Sequence, residues 1–139
     1  MIKVKIYTIG RCKDAWLLEA LAEYEKRLSK QVQFDWILCK NDEELASKVQ
    51  APYIALHPAG ELLDSPAFSK KYIKLLEKHG SRLNFLIGGS DGISLELLEK
   101  SAWIWSLSPL TFTHQMTRLV LLEQIYRAFE IDSGSEYHK

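Results

Sequence analysis

Cysteine is scarce in this chain: only Cys12 and Cys39 occur, far apart and without a Cys-x-x-Cys spacing. The disulfide frameworks of small secreted domains need more thiols than this, so a reducing, cytoplasmic compartment is expected. No signal peptide is expected either, because no basic segment followed by an apolar stretch and a small-residue cleavage site opens the chain. The apolar runs are far shorter than the roughly 20 residues that span a bilayer, so no membrane partner is expected. An excess of one charge is also lacking, since 18 Lys and Arg stand against 18 Asp and Glu. That balance excludes coating of nucleic acid by bulk attraction. Local clusters do occur, at Arg11 and Lys13, at Lys26, Arg27 and Lys30, and at Lys139, where a solvated surface is the commoner explanation. Neither Gly-x-Gly-x-x-Gly nor Gly-Lys-Ser/Thr is present. The four histidines, His57, His79, His114 and His138, show no metal-ligand spacing, so no metal is expected.

What is present reads as one globular domain over residues 1–139, with 47% apolar and 26% charged residues. Ile2, Val4 and Ile6 alternate with Lys3 and Lys5 up to Gly10, predicting a strand. Trp16, Leu17, Ala20, Leu21, Tyr24 and Leu28 recur at helical spacing, with Asp14 as the expected N-cap. A strand over 32–38 and a short polar helix over 42–49 follow. Tyr53 to His57 reads as a third strand, stopped by Pro58 and Gly60. Ser65-Pro66 marks a helix start, because proline in the first turn forfeits no hydrogen bond; that helix should end near Lys78, before Gly80. A fourth strand over 83–87, a short helix over 95–101 and a brief strand over 103–107 come next. The last helix, over 114–131, is apolar around much of its circumference, with Glu123 and Arg127 spaced to pair. Such a helix is either deeply buried or shared with a second subunit. Alternating strands and helices predict an α/β fold, a mainly parallel sheet with helices on both faces.

Three features carry chemical information. Gly88-Gly89-Ser90-Asp91-Gly92 joins a buried strand to a helix, where parallel sheets gather ligands and glycine lets backbone approach them. From Ser101 to Thr117 there is no Asp, Glu, Lys or Arg. The loop over 108–113 therefore suits either a neutral ring held by backbone groups or packing near a subunit interface. His114 and Arg118 share one face at the start of the last helix. The tail, Tyr137-His138-Lys139, is either frayed or able to stack on a base and meet phosphate.

The order of these features resembles the bacterial large-subunit rRNA pseudouridine-N3 methyltransferases of the SPOUT superfamily. The resemblance covers essentially the whole chain. It is densest over Leu86-Ile-Gly-Gly-Ser-Asp-Gly92, over Ser106-Leu-Ser-Pro-Leu-Thr-Phe-Thr-His-Gln-Met116, and from Arg118 through Tyr126-Arg-Ala-Phe129 to the closing Tyr137-His138-Lys139. Thr113 departs from the proline that often precedes the histidine in the family. The resemblance implies a C-terminal trefoil knot and S-adenosylmethionine as cofactor. Carried over by position, Leu56, Gly88, Gly89, Ser108, Pro109, Leu110, Thr111, Phe112 and Thr113 would hold that cofactor. It further implies a homodimer built on the last helix, the tail of one subunit reaching towards the partner's cofactor. The substrate implied is N3 of a pseudouridine in helix 69 of 23S ribosomal RNA, met within the assembled ribosome.

The same resemblance casts His138 as the group that takes the N3 proton or steadies the resulting anion, with Tyr137 beside it and His114 and Arg118 as orienting or electrostatic helpers. A side chain at Gly89 is expected to fill space that its backbone leaves open to the donor. Other readings stay open on the residues alone: a knotted tRNA methyltransferase, a non-catalytic ribosome-associated RNA-binding module, or a flavodoxin-like nucleotide-binding protein.

Overall fold

The protein is described by a computed structural model over residues 1–138. The chain runs β1 (Ile2–Ile9), α1 (Ala15–Leu28), β2 (Val32–Cys39), α2 (Asp42–Lys48), β3 (Tyr53–Leu62), α3 (Ser65–Lys78), β4 (Asn84–Ile87), α4 (Leu95–Lys100), β5 (Trp103–Ser106) and α5 (His114–Asp132). The five strands form one sheet in the order β2-β1-β4-β3-β5, and every neighbouring pair is parallel.

Side chains alternate across a strand, and here the alternation divides the core in two. Val4, Ile6, Ile54, Phe85, Trp103 and Trp105 face one side, where α1, α3 and α5 bring Leu17, Phe68, Tyr72 and Leu121. Tyr7, Cys39, Tyr53, Ala55 and Leu86 face the other, met by Leu45 of α2 and Leu97 and Leu98 of α4. Helices thus cover both faces, as expected. On the first side Phe68 stacks on Trp105 at 4.0 Å between centroids, and Trp103 stacks on Trp105 at 5.5 Å.

The caps explain where most helices begin. Asn41 accepts from the amide of Glu44, Asp64 from Ala67, Ser94 from Leu97 and Thr113 from Met116. Each satisfies an amide that the first turn leaves unpaired. Asp14 occupies the expected N-cap of α1, but its side chain makes no capping bond; its carbonyl instead accepts from Leu17 and Leu18.

β3 corrects one expectation. It does not stop at Pro58 but continues to Leu62, pairing with β5 through Leu56 and again through Glu61, both opposite Trp105. The intervening residues bulge out of the ladder, so proline's missing N–H breaks no pairing. Gly60 permits the second approach: a Cβ there would stand 2.7 Å from the carbonyl carbon of Ile104.

α5 lies between α1 and α3, burying Arg118, Leu121, Leu122, Ile125, Ala128 and Phe129. Much of its apolar circumference is therefore used within the chain. Glu123 and Arg127 pair on its polar side at 2.9 Å. Among the described residues, no helix is long and apolar enough to cross a membrane.

Candidate active site

The bulge within β3 and the C-terminal ends of β4 and β5 lie side by side, and they and the segments after β4 and β5 enclose a cleft of about 500 Å³. β3 supplies Leu56, His57 and Pro58. The turn after β4 supplies Gly88 to Ile93. The loop after β5 supplies Leu107 to Thr113, and α5 adds His114 and Thr117. All the residues expected to hold a cofactor, Leu56, Gly88, Gly89 and Ser108 through Thr113, line this one cleft together with His114. His57 and Asp91 are the other ionisable groups on its wall.

The glycine turn is closed by the Gly92 amide, which donates to the Gly89 carbonyl at 3.0 Å. Its two leading glycines are tight for different reasons. A Cβ on Gly88 would meet Gly92 backbone at 2.9 Å and Ile93 Cγ1 at 2.8 Å. A Cβ on Gly89 would meet Ile9 Cδ1 at 3.0 Å and Asp42 Oδ1 at 3.8 Å, neither of which lines the cleft. The expected filling of open donor space at Gly89 is therefore corrected: a side chain there presses on Ile9.

The uncharged loop is shaped by its own hydroxyls. Ser108 Oγ accepts from the Leu110 amide at 2.9 Å, and its carbonyl accepts from Ser106 Oγ at 3.2 Å. Thr113 takes the cap of α5, accepting from the Met116 amide at 3.2 Å, while its carbonyl receives both the amide and the hydroxyl of Thr117. A proline here would keep the backbone shape but lose that side-chain cap. Among the described residues, the amides of Thr111, Phe112 and Thr113 meet no acceptor, which leaves them available to a ligand.

The remaining site residues lie elsewhere. Arg118 is 1% exposed and does not line the cleft. One of its terminal nitrogens, Nη2, donates to the carbonyls of Ile9 at 3.0 Å and Gly10 at 2.8 Å, while Nε is buried with no partner among the described residues. Burial holds its pKa below the ordinary arginine value. It therefore ties α5 to the end of β1, whose Ile9 stands against Gly89.

Tyr137 and His138 fold back onto α5 of their own chain. Tyr137 donates to Glu123 Oε2 at 2.8 Å, its ring meets Tyr126 edge-on at 4.8 Å, and the Arg127 guanidinium lies 4.9 Å from its centroid. Burial, and then the Glu123 carboxylate, push the Tyr137 phenol well above its usual range. His138 Nδ1 lies 2.9 Å from Arg127 Nη1. His138 borders a second cleft of about 510 Å³ that shares Leu107 and Phe112 with the first. Lys139 lies outside the described residues. Of the basic clusters, Arg27 is engaged by Glu23 at 2.8 Å and lies over the rings of Tyr24 and Tyr126.

Sequence reasoning reached Leu56 but missed its neighbours His57 and Pro58. The ligand-gathering rule for strand ends applied to them equally, but the expected stop at Pro58 hid the bulge that turns them to the cleft.

Known proteins resemble this chain in sequence and in fold. Residues 2–138 match the family described as "Predicted SPOUT methyltransferase". The chain is 47% identical over 141 residues to the ribosomal RNA large subunit methyltransferase H of Protochlamydia amoebophila strain UWE25, covering 100% of both chains. It is 37% identical over 159 residues to the protein of the same name from Streptococcus gordonii strain Challis, covering 99% of this chain and 100% of that one. In fold it is similar to a structure titled as a probable methylase family protein from Haemophilus influenzae Rd KW20, with a TM-score of 0.59 at 11% identity. That likeness takes in 94% of this chain and 66% of the longer one. With nearly every residue matched and both relatives aligned end to end, the chain belongs to the SPOUT methyltransferase family.

Proposed function

We propose that this chain transfers a methyl group from S-adenosylmethionine to 23S ribosomal RNA, at N3 of a pseudouridine in helix 69. It does so in the cytoplasm, as a homodimer acting on the assembled ribosome. The carrying observation is that Leu56, Gly88, Gly89 and Ser108 to Thr113, separate in sequence, line a single cleft. The names of the two full-length relatives support ribosomal RNA as substrate. The trefoil knot, the pseudouridine position and the dimer belong to this reading through the family resemblance.

The cleft suits the donor chemically. Leu56, Ile87, Leu107, Leu110 and Phe112 offer apolar contact to a purine, and the free amides of Thr111 to Thr113 offer donors to its polar edge. Asp91 offers an anion to the ammonium group, and His57 offers a ring nitrogen to the carboxylate. When bound, S-adenosylmethionine supplies a methyl group already activated on a sulfonium sulfur. The protein's own work is then to hold acceptor and donor in line and to exclude water.

His114, on the wall, orients the acceptor base. Arg118 acts from beneath by holding the end of β1. The tail residues Tyr137 and His138 meet the base, reaching the partner's cleft in the dimer. Met116, Leu119, Val120, Tyr126 and Ile131 are apolar α5 side chains left exposed or partly exposed, and these would face a second copy. Zero net charge suits docking by shape on an assembled particle better than tight binding to naked RNA.

Calorimetric titration with S-adenosylmethionine, followed by methyl transfer to ribosomes and to free RNA, tests the proposal. Saturable binding and methylation of ribosomes are expected. No binding at millimolar donor, with or without ribosomes, overturns it.

A further inference from the structure

The polar cluster at the C-terminal half of α5 has a fixed hydrogen-bond direction. The Glu123 carboxylate takes Arg127 Nε at 3.2 Å and Nη2 at 2.9 Å. The same carboxylate accepts from Tyr137 Oη at 2.8 Å and from Gln124 Nε2 at 2.8 Å. Held on that edge, the guanidinium turns Nη1 to His138 Nδ1 at 2.9 Å. A guanidinium has five N–H donors, no acceptor, and stays protonated in proteins. In this contact Nδ1 is placed as the acceptor, the arrangement of a ring that carries its N–H on Nε2.

We infer that Arg127 is a positioning residue that locks His138 in its Nε2–H tautomer, so that the exposed ring edge donates a hydrogen bond to the target pyrimidine instead of accepting its proton. This rests on the proposed methyl transfer. The acceptor nitrogen lies between two ring carbonyls, and once its proton is lost the negative charge spreads onto their oxygens. An N–H aimed at one of those oxygens stabilises that charge without itself changing protonation, the use made of a neutral histidine elsewhere. The N3 proton passes to bulk water before transfer. The electron pair it leaves forms the N3–methyl bond, and the sulfur–methyl pair stays on sulfur as a neutral thioether. Glu123, Arg127, Tyr137 and His138 belong to one chain, so the same tautomer serves whichever subunit's cleft the tail meets.

The test uses the full chain with 15N-labelled histidine, the His138 ring signals being assigned by their loss in His138→Gln. A neutral ring protonated at Nε2 is expected at pH 7.5, with a shift towards mixed tautomers in Arg127→Met and recovery in Arg127→Lys. A ring protonated at Nδ1, or doubly protonated, overturns the inference. Turnover on ribosomes gives an independent reading, because glutamine donates an N–H but cannot take a proton. His138→Ala should lose activity by on the order of 10²–10³, the usual cost of removing such a donor, while His138→Gln should stay within about tenfold of wild type. Equal loss in both variants overturns the donor role. Wild-type protein that leaves ribosomes unmethylated sinks the functional reading, while the ring signals decide the tautomer separately.

Discussion

Arg118 reaches from α5 to the carbonyl of Gly10, 2.8 Å away, and so carries a buried positive charge to the C-terminal end of β1. The contact joins residues far apart in the chain, and among the described residues Arg118 meets no carboxylate. Removing it leaves the Ile9 and Gly10 carbonyls without a donor, a loss offset in part because a buried charge is also removed. Arg118→Met should cost about 2 kcal/mol in urea unfolding. Donor affinity should fall roughly tenfold, since 1.4 kcal/mol of the lost anchoring would suffice. Unchanged affinity in a folded variant would detach Arg118 from the site.

The glycine turn makes a graded prediction. Gly88→Ala must push a methyl against the backbone of Gly92, which cannot yield cheaply. It should cost about 2–3 kcal/mol and abolish donor binding. Gly89→Ala is tight only against the end of the Ile9 side chain, so about 1 kcal/mol is expected. Ile9→Val removes the Cδ1 in question, and the double variant should recover most of that loss. A thermal and calorimetric double-mutant cycle measures the coupling; strict additivity would contradict the contact.

Assembly can be tested on the partly exposed side of α5. Light scattering should return twice the 16.0 kDa chain mass for wild-type protein. Met116→Glu, at a position 37% exposed, should shift the mass towards that of one chain without unfolding it. A wild-type mass of one chain would refute the dimer.

Removing residues 137–139 separates binding from chemistry. Among the described residues, neither Tyr137 nor His138 lies on the wall of the cleft around Gly88 and Phe112. Donor affinity should therefore remain within about threefold, while turnover on ribosomes falls by on the order of 10². Survival of turnover would deny the tail any part in the reaction.

Alkaline pH should loosen the tail. The folded state holds the Tyr137 proton more tightly than the unfolded chain, through burial first and the Glu123 carboxylate second. A raised pKa adds stability that is complete below the unfolded tyrosine value near 10 and is lost as pH rises beyond it. Protection factors at the amides of 135–138, with the base-catalysed intrinsic rate divided out, should fall above about pH 10 in wild type, and that fall should flatten in Tyr137→Phe. The same fall in protection in Tyr137→Phe would assign it to another group.

Much of this protein is written in local pattern. The period of two in Ile2 to Ile6, the helical spacing from Trp16 to Leu28, and Gly88-Gly89 after an apolar strand depend on neighbours in the chain, and the sequence alone determines them. So too the Glu123–Arg127 pair, which one turn of helix brings together whatever surrounds it. Only the tertiary structure decides the rest, because those contacts join segments with no local signal between them. Pro58 looks like the end of β3 until β5 offers a second place to pair at Glu61. Arg118 looks like a partner of His114 on one helix face until burial turns it to the carbonyls of Ile9 and Gly10. Gly89 looks open until Ile9 stands beside it. Residue spacing sets periodicity and turns, but a buried charge or a close backbone approach answers to whichever distant atoms the fold brings within about 3 Å.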